Sequence, residues 1–134
     1  NHSSFVEFGG IWPPHCVEGT RGGAIHESFY TKIENPANRP DPKRNIFRKG
    51  RKQDEEQYSG FEAVNENGVA LKDYVDKDIV VSGIATEYCV YNTVNEFLKS
   101  GRNVELLVDG LGYVDHKGHK KTIKELRKMV TIIE

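Results

Sequence analysis

From residue 78 to residue 133 the chain alternates short apolar runs with longer segments of helical spacing. That alternation narrows the fold more than any other feature. Ile79–Ser82, Val104–Val108 and Met129–Ile133 have the length and β-branched content of buried strands. Between the first two, Glu87–Ser100 carries Val90, Val94, Phe97 and Leu98 at helical spacing. It stops at Gly101, the residue type that closes helices in the left-handed conformation. His116–Lys128 repeats the pattern with Ile123 and Leu126 on its inner face and lysines outside. Strand, helix, strand, helix, strand predicts right-handed crossovers and a parallel sheet of the α/β class.

The first half is less regular. Residues 1–42 hold all five prolines and no sustained period, the composition of a functional loop region rather than of a framework. Asn45–Arg48 is a candidate short strand and Lys49–Gly60 a loop. Phe61–Tyr74 is helix-like around Phe61, Val64, Leu71 and Tyr74, with Gly68 interrupting it. A length of 134 residues suits one domain, 1–134, with one core.

Charge excludes several function classes. The 19 basic and 20 acidic residues leave a net charge of −1, which argues against nucleic acid and against a membrane surface as partners. The basic run Lys43–Lys52 is followed by acidic Asp54–Glu56 and reads as a solvated loop. No apolar stretch approaches the ~20 residues of a membrane helix. Two cysteines, Cys16 and Cys89, form no paired motif, which fits a reducing, cytoplasmic compartment. A small-molecule substrate is the expected partner, with a homo-oligomer left open.

Chemistry concentrates at Ser82–Val90. A small-residue turn, Ser82–Ala85, joins the first strand to the helix, so Cys89 falls in the first helical turn beyond the carboxyl end of a strand. Unpaired N–H groups there favour an anion, and a thiolate is the nucleophilic form of cysteine. Ligands of open α/β sheets bind at the same edge. A small buried hydrophobe is the competing reading for Cys89. In Trp12-Pro13-Pro14-His15-Cys16 two prolines stiffen the approach to His15. His15 and His2 are imidazoles able to ligate a metal, although two histidines alone do not make a site. Trp12 suits either a pocket wall or the core. Lys49 follows Ile46-Phe47 at a strand end, where an ammonium could stabilise a thiolate or remain solvated. Ser59 reads as a cap, Cys16 as a packed thiol, and His26, His116 and His119 as surface residues.

Together these segments resemble the isochorismatase-like cysteine hydrolases and, within them, the nicotinamide/pyrazinamide deamidases. Four pieces match in order: Asn1–Phe5, Trp12–Cys16, Lys49 ahead of Tyr58–Glu62, and Gly83–Val90. The resemblance implies a three-layer α/β/α, Rossmann-like fold with a mostly parallel sheet. It implies that Cys89 is the nucleophile of an amide hydrolysis through a thioester, with Lys49 the catalytic lysine. Ile84-Ala85 would be a cis peptide that aims the Ala85 N–H, with that of Cys89, at the oxyanion. Trp12, Ile84, Ala85 and Tyr88 would bind the substrate, nicotinamide or a similar amide. His15 and His2 would hold one divalent metal, zinc first, with iron or manganese as alternatives.

The family pattern also contains an aspartate general base and an Asp-x-His pair of metal ligands, both ahead of the segment that begins here at Asn1. The expectation is that such an upstream piece exists and carries the central strands. Two alternatives stand beside this reading. One is a carbamoyl or ureido amidohydrolase of the same family, against which Trp12–His15 argues. The other is a non-catalytic binding relative, against which the pairing of Cys89 with Lys49 argues.

Overall fold

The computed structural model describes residues 2–134. Short pieces come first: 3-10 turns at Val6–Phe8, Arg21–Gly23 and Pro36–Asn38, and two single helical turns, α1 (Ser28–Thr31) and α2 (Leu71–Tyr74). The predicted alternation follows. β1 (Asp78–Gly83) leads to a π-helical turn, Thr86–Val90, that runs straight into α3 (Tyr91–Lys99). Then come β2 (Asn103–Leu111), α4 (His116–Leu126) and β3 (Thr131–Ile133). The strands form one parallel sheet in the order β1-β2-β3, with Val81 opposite Leu106 and Leu106 opposite Ile132.

The core follows from strand alternation meeting helical spacing. Ile79, Val81, Val104, Leu106 and Ile132 share a cluster with Val94 and Phe97 of α3 and Leu126 of α4. Val94, Leu106 and Leu126 are completely buried, so the main hydrophobic cluster of the described residues sits on this one sheet face. On the other face Val80 lies opposite Glu105 and is 57% exposed. The structure therefore contains the parallel sheet and one helical layer of the expected three-layer α/β/α arrangement. Gly101, with φ of +84°, ends α3 in the left-handed conformation its position predicts. No helix among the described residues is long and apolar enough to cross a membrane.

Two expectations in the first half need correction. The helix over Phe61–Tyr74 is reduced to α2. Asn65, 7% exposed, accepts from the N–H groups of Asn67 and Val69 and donates to the carbonyls of Lys43 and Arg44. A buried amide that satisfies a turn in this way outcompetes helix formation, and Gly68 at φ +76° completes the turn. Val64 is left to bridge both Arg48 and Ala70. The strand over Asn45–Arg48 is no more than that bridge.

Candidate active site

The turn that carries Cys89 begins at a cis peptide between Ile84 and Ala85, as the resemblance implied. The Ala85 carbonyl accepts from the N–H groups of Tyr88 and Val90 and passes over Cys89. A regular α-helix would have spent the Cys89 N–H on that carbonyl. The turn is instead a single π-helical turn, a distortion frequent at functional sites. The Ala85 N–H has no protein acceptor among the described residues, although Ala85 itself is buried. Thr93, one turn further on, donates its hydroxyl to the Cys89 carbonyl at 2.6 Å and accepts from the Gly60 N–H at 2.8 Å. That side chain ties the loop before Phe61 to the turn that carries Cys89.

Lys49 arrives from the opposite side. Its ammonium donates to Cys89 Sγ at 3.3 Å and to the Gln57 carbonyl at 3.0 Å. The Gln57 side chain in turn accepts from the Gly50 N–H at 2.8 Å. Gln57 thus aims the lysine, and nothing in the sequence pattern marked it. Cys89 and Lys49 are both half-buried, so their contact is only partly screened by solvent. No carboxylate among the described residues forms an ion pair with Lys49.

An aromatic cluster forms on Tyr88, the residue before Cys89. Trp12 meets Tyr88 edge-on with centroids 4.9 Å apart, and Tyr58 lies 5.6 Å from Tyr88. The Trp12 indole N–H donates to the Tyr58 hydroxyl at 3.2 Å. Trp12 is delivered by a tight loop in which Phe5 bridges it, and the loop closes only because residue 10 is glycine: a Cβ there would overlap the Ser4 carbonyl. Tyr58 is a second residue that no sequence pattern marks; its signal is the hydroxyl, which a half-buried indole needs as a partner. Ile84 contributes less to a wall than expected. It is 68% exposed and lies over the bare Cα of Gly112. A crevice of about 300 Å³ next to Tyr58, lined in part by Glu56, Glu62 and Glu96, includes neither Cys89 nor Trp12.

Both histidines lie near the buried Phe5 ring, with centroids 6.0 Å (His2) and 5.4 Å (His15) from it. His15 Nδ1 donates to the Pro13 carbonyl at 2.7 Å, which fixes the tautomer and leaves Nε2 with its lone pair free. His2 is the opposite tautomer: Nε2 donates to the Glu55 carbonyl and Nδ1 accepts from the Ser4 N–H. Among the described residues no group of three or more His, Cys, Asp or Glu could hold a metal. Of the two imidazoles, His15 keeps Nε2 without a hydrogen-bond partner among the described residues, while both ring nitrogens of His2 are engaged.

Two further expectations are corrected. Cys16 is an exposed thiol at φ +49°, not a packed one, because the Pro-Pro approach turns the chain outward there. His119 is not a surface residue: half-buried, its Nδ1 bonds Thr86 Oγ1 at 3.0 Å. His26 and His116 are exposed, as expected.

The thiol and ammonium in contact lie beyond the carboxyl end of a parallel strand in an α/β protein, the edge at which open sheets of this class bind ligands. The Isochorismatase domain family model matches residues 1–134, and the chain belongs to that family. It is 32% identical over 129 residues to the nicotinamidase/pyrazinamidase of Mycobacterium tuberculosis, with 93% of this chain and 63% of that protein covered. With the nicotinamidase of Escherichia coli it shares 28% identity over 133 residues, 82% of this chain and 57% of that protein. PnC1 from L. infantum, solved in complex with nicotinate, superposes with a TM-score of 0.78 at 33% identity over all of this chain and 66% of that one. The pyrazinamidase of Pyrococcus horikoshii in complex with zinc gives 0.74 at 32% identity, over all of this chain and 69% of that one. The chain spans less than two thirds of the length of either curated relative.

Proposed function

We propose that this protein is a cytoplasmic cysteine amidohydrolase that converts nicotinamide, and pyrazinamide-like amides, to the acid and ammonia through a thioester on Cys89. The observation that carries the reading is the 3.3 Å contact of Lys49 Nζ with Cys89 Sγ on the π-helical turn. Nicotinamidase relatives and the nicotinate complex of a similar structure support the choice of substrate.

The chain's own groups divide the work as follows. Lys49 stabilises the Cys89 thiolate, whose sulfur attacks the amide carbon and forms the C–S bond. The carbonyl electron pair moves to oxygen, and the N–H groups of Ala85 and Cys89 hold the oxyanion. The pair returns, the C–N bond breaks, and the amine leaves as ammonia once it has taken a proton. Water then adds to the thioester, and breaking the C–S bond restores the thiolate. Both proton transfers need a general acid–base, the role of the family's aspartate. Trp12, Tyr88 and Tyr58 hold the pyridine ring against the thiol.

A zinc-bound relative supports a divalent metal here as well. His15 would bind it through Nε2, and His2 would join after releasing the Glu55 carbonyl. Bound there, the metal would orient the ring of the substrate. The test is ammonia release from nicotinamide by the purified protein and by Cys89→Ala. Turnover lost in the variant, with an unchanged circular dichroism spectrum, is the expected result. Retained turnover would overturn the assignment.

A further inference from the structure

The nucleophile turn is held from behind by groups that no part of the proposed chemistry uses. Thr86, the first residue of the turn, is completely buried. Its N–H and its hydroxyl both donate to the Gly112 carbonyl, at 2.9 and 2.8 Å. With its proton spent, the hydroxyl can only accept, and it accepts from His119 Nδ1–H at 3.0 Å. The His119 ring also packs against Tyr113, tilted by 36° with centroids 4.6 Å apart, a contact that favours this orientation. The next residue, Glu87, accepts the N–H groups of Val114 and Asp115 on one carboxylate oxygen, at 2.8 and 2.6 Å. The two leading residues of the turn are thus fastened to the segment joining β2 to α4, while Cys89 at its fourth position faces Lys49.

We propose that His119 is a positioning residue for Cys89. Through Thr86 it fixes the turn, so that Sγ stays within reach of the Lys49 ammonium. The physical reason is that the contact is made between two separately anchored segments. Lys49 is placed by Gln57 and the Arg48–Val64 bridge, and Cys89 by the Thr86–Gly112–His119 contacts. An error at either anchor appears directly in the distance between them. The inference rests on the proposed role of Cys89, and it is read by a probe that needs no substrate turnover.

The experiment compares His119→Leu, His119→Asn and His119→Gln in the purified protein. Asn places an amide donor where Nδ1 stands, Gln places it near Nε2, and Leu has none. The first readout is the rate of Cys89 alkylation by iodoacetamide, normalised to the folded fraction from circular dichroism. The second is nicotinamide kcat per folded molecule, with alkylation followed on the Cys89 peptide so that the exposed Cys16 does not contribute. Leu and Gln should slow both by between about tenfold and a hundredfold, the usual cost of misplacing a reacting group by an ångström. Asn should recover most of the loss. A merely structural role would lower the melting temperature and leave the rate per folded molecule unchanged in all three, which would overturn the proposal. Equal loss in Asn and Gln would also overturn it, and that comparison remains decisive if the Leu variant does not fold. Should the wild-type protein fail to deaminate nicotinamide, the alkylation rates still decide the role of His119, and only the functional reading falls.

Discussion

Replacing Lys49 by methionine keeps the length of the side chain and removes its charge, so it isolates the ammonium. The lost interaction can be worked from the geometry. Unit charges at the 3.3 Å separation of Nζ and Sγ interact by about 5 kcal/mol at an effective dielectric of 20, and by about 1.3 kcal/mol in bulk water. Both side chains are half-buried, which places the pair toward the lower part of that range, at about 1–3 kcal/mol. At about 1.4 kcal/mol per factor of ten, Lys49→Met should slow iodoacetamide alkylation of Cys89 near neutral pH by roughly ten- to a hundredfold. Nicotinamide kcat/KM should fall by at least as much, because the same charge stabilises the attacking sulfur. The Gln57 carbonyl loses a donor but can turn to water, so the melting temperature should change little. Lys49→Arg should recover part of the alkylation rate. A methionine variant alkylated as fast as wild type would refute the reasoning, because the contact would then be incidental to the thiol.

Other expectations test separate parts of the account. Trp12→Phe keeps the wall and loses the bond to the Tyr58 hydroxyl, a net contribution of about 1 kcal/mol; steady-state kinetics should register it as a rise in KM of about fivefold. His15→Ala should lower affinity for added zinc by at least about a hundredfold, since loss of even an outer-shell partner can cost that much; equilibrium dialysis with metal analysis measures it. Phe97→Ala, at a position 2% exposed in the core, should cost about 3–5 kcal/mol in urea unfolding. Asp115→Ala removes the side chain that accepts the Gly118 N–H at 2.6 Å at the start of α4 and should cost about 1 kcal/mol, read from the same unfolding curves.

What the sequence disclosed follows from the range over which each signal acts. β1, α3, β2, α4 and β3 were legible because their apolar residues repeat at a period set by the backbone, and the packing around Phe97 and Leu106 rewards that period. Cys89 was legible as a position, beyond a strand and at the start of a helix; its proposed role as nucleophile comes only from resemblance to a family. The π-helical turn was not legible, since a pattern of side chains does not reveal which N–H the Ala85 carbonyl takes. Phe61–Tyr74 was misread because Asn65 looks like any polar residue until its amide is seen satisfying a buried turn. His119, Gln57 and Tyr58 were missed for one shared reason. Each acts through a partner that no periodic element joins to it: Thr86 lies 33 positions from His119, Trp12 lies 46 from Tyr58, and Lys49 lies 8 from Gln57 across an irregular loop. No local spacing encodes such pairs.

The central claim is that the Cys89 sulfur becomes covalently bonded to the acyl group of the substrate. Rapid acid quench of the protein during nicotinamide turnover, followed by digestion and mass spectrometry, tests it directly. The account predicts a nicotinoyl group on the peptide that contains Cys89, formed and lost at rates consistent with ammonia release and absent from Cys89→Ala. Ammonia released at full rate with Cys89 unmodified, or by the alanine variant, would contradict it.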